Sequence, residues 1–180
     1  MLWIRLDSLS PKLPDVEIRR DAKVNLYPFT DYFVGFENVP VIRKLFGEKT
    51  GQVLHNLKVE FYSAKFGYMA VSDEDGHLLI SAYHLRTADQ AVIYLDVVHE
   101  LHHVKQFMDG KELFLTDFEY VDSPIEIEAY LGTVDEAKRI GFSDDQIVEY
   151  LKIEWMTDEQ LKRLVARMGL TAAGNSGAST

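Results

Sequence analysis

Residues 99–103 read His-Glu-Leu-His-His, and their types and spacing are those of a metal site with a built-in base. On a helix of 3.6 residues per turn, His99 and His103 point within about 40° of each other, so both imidazoles project from one face. Two nitrogen donors one turn apart suit a tetrahedral Zn²⁺ site. Glu100 lies about 100° round from His99, where its carboxylate can reach a metal-bound water and accept its proton. H-E-x-x-H is the general pattern for that chemistry. Two histidines do not close a zinc site, which needs a third protein ligand and an open position. The chain has no cysteine, so the third ligand is His, Asp or Glu.

A helix over 88–108 must carry these groups. Thr87 and Gln90 form a T-x-x-Q capping box ahead of it, and Asp109-Gly110 closes it. Its first half is apolar nearly all round (Ala91, Val92, Ile93, Tyr94, Leu95, Val97, Val98), the pattern of a buried helix. Asp96, His99, Glu100, His102, His103 and Gln106 then share one sector. The bland alternative is a solvated polar face that happens to spell the motif. A polar sector on a buried helix instead needs partners, and a metal ion provides one.

Upstream, 57–63 and 67–72 carry the aromatic and β-branched residues of strands, 73–76 (Asp-Glu-Asp-Gly) supplies a turn, and 77–85 reads as a further strand, together a β-hairpin. A short helix over 39–47 has Asn38 as cap and Gly47 as stop. Residues 1–35, with Pro11, Pro14 and Pro28, carry little assignable pattern. Downstream, helices are expected over 124–140, stopped by Gly141, over 144–154, capped by Ser143, and over 158–168, capped by Thr157. Strands first and helices after, without βαβ alternation, give the α+β class. The length of 180 residues fits one domain, taken as 1–170, with the small polar run 171–180 as a disordered tail.

The segment Asp-Ser-Pro-Ile-Glu-Ile-Glu-Ala-Tyr (122–130) opens the next helix with Glu126 and Glu128. H-E-L-x-H-V-x-Q followed by P-x-E-x-E-A resembles the gluzincin branch of the zincin metallopeptidases, and in scale the small members called minigluzincins. The likeness covers about 65–140 and rests on two short motifs. It implies a zincin-like fold, a small, mostly antiparallel sheet packed on the active-site helix with further helices after it. It also implies His99 and His103 as zinc ligands, Glu100 as base and Glu126 as third ligand. The strand at 77–85 would line the cleft and pair with extended peptide, as an exposed strand edge can. Tyr130 departs from the family's E-x-x-x-D pattern, standing where the Asp would orient a ligand histidine.

Glu126 has a competing role, since Ser123-Pro124-Ile125-Glu126 is itself a capping box. The helical wheel favours the ligand reading. Glu126 shares a face with Tyr130, Ile127, Thr133, Val134 and Ala137, whereas Glu128 lies about 160° away with Asp135 and Arg139. Among neighbours, His102 is a weaker ligand alternative to His103 and more naturally packs beside the site. Gln106 could border the cleft but reads first as a surface or core amide, and Asp96 as a satisfied core carboxylate. His77 and His84 flank the expected edge strand and read as exposed, with His84 able to meet a substrate carbonyl. Tyr83, Tyr120 and Tyr130 are candidates for stabilising an oxyanion, and each is equally a core residue.

A net charge of −10 argues against nucleic acid and anionic membrane surfaces as partners. No run approaches a membrane span, and Asp7 interrupts the place of a signal sequence, so a cytoplasmic location is the default expectation. The residues thus point to a zinc-dependent hydrolase acting on peptide or protein, with self-association open. The rival is a zincin-fold binding or regulatory module that is catalytically silent or latent, an alternative kept alive by Tyr130.

Overall fold

The computed structural model describes residues 11–170, which gather into two units: 13–117, and 118–170 together with 11–12.

In the first unit β1 (Glu17–Ile18) pairs antiparallel with β3 (Phe33–Val34), while the intervening β2 (Asn25–Pro28) joins a four-stranded sheet. That sheet runs in the order β2, β4 (Lys58–Tyr62), β6 (Leu78–Ser81), β5 (Met69–Val71). Two pairings are antiparallel and the central β4–β6 pairing is parallel, so the sheet is mixed. Val59 and Phe61 of β4 stand opposite Leu78 and Ile80 of β6, and all four are fully buried. Their period-two spacing fixes the register, since a one-residue slip would turn the whole set to the other face.

The region before residue 35, poor in sequence signal, contributes an aromatic cluster. Phe29 and Phe33 stack at 4.9 Å, and Phe36 meets both edge-on at 5.9 Å. Helices α1 (Pro40–Phe46) and α2 (Thr50–Asn56) follow. Asn38 belongs to a 3₁₀ turn and does not cap α1, whose first residue, Pro40, supplies the preset φ of a helix start.

The strand expected over 77–85 ends at Ser81. Its hydroxyl accepts from the His84 amide (3.2 Å) and donates to the Ala64 carbonyl (2.7 Å), so the chain turns at once into helix α3 (Ala82–Thr87). The Thr87–Gln90 capping box therefore does not form. Thr87 is still helical, and its hydroxyl donates to the Tyr83 carbonyl. Asp89 is the cap of the long helix α4 (Gln90–Met108), accepting from the Ala91 amide at 2.8 Å. Arg20 ties the α3–α4 corner down, donating to the carbonyls of Leu85 (2.8 Å) and Ala88. Phe36 and Tyr94 pack at 5.6 Å, seating α4 on the aromatic cluster.

The β5–β6 turn ends at Gly76, whose φ is +78° and where an added Cβ would stand 2.5 Å from the Phe107 ring of α4. Gly76→Ala is expected to lower stability by about 1–3 kcal/mol from backbone conformation alone, with the ring contact adding to it. Gly51→Ala, at an open α2 position, should be neutral or stabilising by up to about 1 kcal/mol. Urea unfolding of the two variants checks this, and equal effects would contradict it.

In the second unit a 3₁₀ turn, Tyr120–Asp122, leads into α5 (Pro124–Arg139), α6 (Asp144–Leu151) and α7 (Asp158–Arg167). Ser143 with Gln146 and Thr157 with Gln160 form complete capping boxes, and Gly141 follows α5 at φ +99°, as the sequence indicates. Helix α6 stops at Leu151 and not 154, because Lys152 turns extended at ψ 103°. Arg167 donates to Asp122 at 2.6 Å, fastening α7 to the turn before α5. The expected tail, 171–180, lies outside the described residues. Among the described residues no helix is long and apolar enough to cross a membrane.

Candidate metal centre

The polar sector of α4 is buried: His99, Glu100, His102, His103 and Gln106 are each 3–7% exposed. One turn apart, the His99 and His103 rings meet at 83° with centroids 4.7 Å apart, and their Nε2 atoms converge to 3.0 Å. Gln106, the next turn on, places its amide oxygen 2.7 Å from His103 Nδ1. A carbonyl oxygen only accepts, so the ring proton lies on Nδ1 and Nε2 of the neutral ring offers its lone pair. Gln106 thus orients the His103 ring, where its place in the sequence suggests first a surface or core amide.

His102 turns elsewhere. Its Nδ1 lies 2.8 Å from the Val98 carbonyl, a bond within the helix, and it takes no part in the cluster. Glu100 is buried beside the pair, within electrostatic reach of Tyr62. Burial first, and then the Glu100 charge, raises the Tyr62 hydroxyl above its ordinary value, and this hydroxyl donates to the Gly67 carbonyl at 3.0 Å.

Asp96, one turn before Glu100, lies 2.7 Å from His84 Nε2, and His84 packs its ring on Tyr68 at 4.7 Å. His84 is therefore buried on α3 and not exposed at a strand end. His77 is half-buried, with Asp75 at 2.5 Å and Glu60 at 3.3 Å. Nor is the strand at 78–81 an edge. β6 is bonded on both sides, and the outer strands are β5 and β2. A peptide adding to this sheet would have to meet one of those two.

Glu126 stands in the first turn of α5, half-buried, while Glu128 is exposed with Asp135 and Arg139, as the wheel places them. Tyr130, Thr133, Val134 and Ala137 form the buried face. The competing capping box does not form. Ser123 makes no side-chain cap, and its amide donates to the Tyr120 carbonyl at 3.2 Å. The Tyr130 hydroxyl lies 2.9 Å from that of Tyr120. Burial, then the neighbouring Tyr130 and Glu126, push the Tyr120 hydroxyl well above its ordinary value, so it stays protonated as a donor. Tyr83, by contrast, is 41% exposed, with the Lys65 ammonium 5.6 Å from its ring.

The candidate ligand atoms of His99, His103 and Glu126 all lie within 4.8 Å of one another, a group that could hold a metal ion. Two imidazole nitrogens and one carboxylate oxygen form a borderline donor set suited to divalent transition metals, and three protein ligands leave a position open for water or substrate. Comparison with protein families, curated proteins and solved structures finds no match to this chain.

Proposed function

We propose that this chain is a zinc-dependent hydrolase of zincin-like fold, a metallopeptidase acting on peptide or protein substrates. The observation that carries the reading is the grouping of His99 and His103 of α4 with Glu126 of α5, with Glu100 buried beside the histidines on α4. His99 Nε2, His103 Nε2 and a Glu126 oxygen would hold the ion. When bound, zinc supplies Lewis-acid polarisation of the scissile carbonyl and activates water at neutral pH. Glu100 accepts the proton of the attacking water and returns it to the leaving amine. Gln106 keeps the His103 ring turned and its Nε2 free of the proton, which strengthens it as a donor. The buried setting of Glu100 excludes bulk water that would otherwise compete for that proton.

Elemental analysis of protein purified without chelators, paired with a generic peptide-cleavage assay, tests the proposal. One zinc per chain with measurable cleavage is expected. A chain that takes up no divalent metal refutes it. Stoichiometric zinc without cleavage would favour the silent or latent module.

A further inference from the structure

The connection between α6 and α7 is a tight turn. The Met156 amide donates to the Ile153 carbonyl at 3.0 Å, so Glu154 and Trp155 are its two central residues. Met156 faces inward, and Thr157 caps α7, so the turn is fixed where it meets the helix. Trp155 points the other way, with 58% of its surface open. Single exposed apolar side chains are ordinary on protein surfaces, but this ring is held in place. Tyr120 meets it at 80° with centroids 4.9 Å apart, and the Tyr120 hydroxyl lies 2.9 Å from that of Tyr130. Tyr130 follows Glu126 by one turn on α5. Within 118–170, a row of three aromatic residues therefore runs from the surface to the helix that bears the candidate carboxylate ligand.

The surroundings select what the ring can take. Edge-to-face contact with Tyr120 leaves the indole a free face, and the negative lobe of the ring quadrupole on that face attracts cations. Glu154, beside it in the turn, is exposed and makes no ion pair among the described residues. The cations at the Tyr120–Asp122 turn are already engaged, Arg163 with Glu119 and Asp122, and Arg167 with Asp122. Between 118 and 170 the chain has twelve Asp and Glu against six Lys and Arg, so the field over this unit draws basic partners and repels acidic ones. A neutral apolar side chain would use the ring but leave the Glu154 carboxylate and that field unanswered.

We propose that Trp155 and Glu154 form a subsite for an arginine or lysine side chain of the peptide substrate, which makes basic peptides the substrate class. The inference rests on the metallopeptidase reading. The cation stacks on the indole face and its charge meets the Glu154 carboxylate, while Tyr120 and Tyr130 join the subsite to α5.

The test is fluorescence titration of the full chain with short blocked peptides identical except at one position, scanned through Arg, Lys, Gln and Leu, alongside steady-state cleavage of the same peptides. The chain has two tryptophans, so Trp3→Phe leaves Trp155 as the sole indole reporter. Arg and Lys peptides should shift its emission and bind about 2–30-fold more tightly than the Gln peptide, the range of a cation–π contact. Trp155→Ala should remove that preference through KM with kcat unchanged, whereas Trp155→Phe should keep part of it. Glu154→Gln should weaken only the basic peptides, by an amount that shrinks as salt is raised. Equal binding of the Arg, Gln and Leu peptides overturns the subsite, as does a basic preference that survives Trp155→Ala. If Trp155→Ala does not fold, a basic preference unchanged in Glu154→Gln at low salt overturns it. Basic-peptide binding that responds to both variants, with no peptide cleaved, upholds the subsite and overturns the hydrolase reading. Cleavage without side-chain preference does the reverse.

Discussion

Glu100→Gln is expected to leave zinc content unchanged and to lower the turnover of peptide cleavage by about 10²–10⁴-fold, the contribution typical of a positioned general base. The amide keeps the shape and burial of the side chain but cannot take a proton. Because Glu100 is on α4 but outside the His99–His103–Glu126 group, the metal donors are untouched. The effect should fall on kcat, with KM little changed, since the lost interaction belongs to the transition state. Stopped assays across a substrate range, alongside metal analysis of the same preparation, decide the matter. Cleavage at the parental rate would show that another group takes the proton.

The second large effect concerns the carboxylates of α5. Glu126→Ala should lower zinc affinity by more than the roughly 10–100-fold seen for lost outer partners, because a direct ligand is removed. Glu128→Ala should change it by no more than about twofold, the scale of an exposed substitution. The two residues are only two positions apart, so overall charge and helix propensity change alike and only the face differs. Zinc competition titrations giving the reverse order would place the wrong carboxylate at the metal.

What could be read from the sequence depended on how local the signal is. His99, Glu100 and His103 are related by the turn of one helix, so their spacing carries their geometry. The α5 wheel separates Glu126 from Glu128 for the same reason, and the Ser143–Gln146 and Thr157–Gln160 caps are complete within four residues. The corner before α4 is ambiguous in the sequence because Ala82, Tyr83, His84 and Leu85 suit a strand as well as a helix. The Ser81 hydroxyl decides between them through one hydrogen bond. With Thr87 spent inside that short helix, the capping role passed two residues on, to Asp89. Contacts between elements left no periodic trace. The His84–Asp96 pair, the Tyr120–Tyr130 hydroxyls and the placement of β6 inside the sheet each join separate segments. Gln106 was visible three residues beyond His103, but nothing local said which way its amide would turn.

The placement of β6 between β4 and β5 also sets an order of events during folding. The β5–β6 hairpin is local and can close in about 1–10 μs, the usual scale for hairpins. The β2–β4 pairing joins Asn25 to Phe61 and must first close a much longer loop, at a higher cost in chain entropy. The β4–β6 pairing is parallel, so the hairpin docks onto β4 through β6, side by side and in the same direction. Ser81 is both the last residue of β6 and the cap of α3, and α4 begins within a few residues of the end of α3. That docking therefore starts the helical run bearing His99 and His103. The chain should acquire the fixed orientation of α4 only after its sheet has assembled.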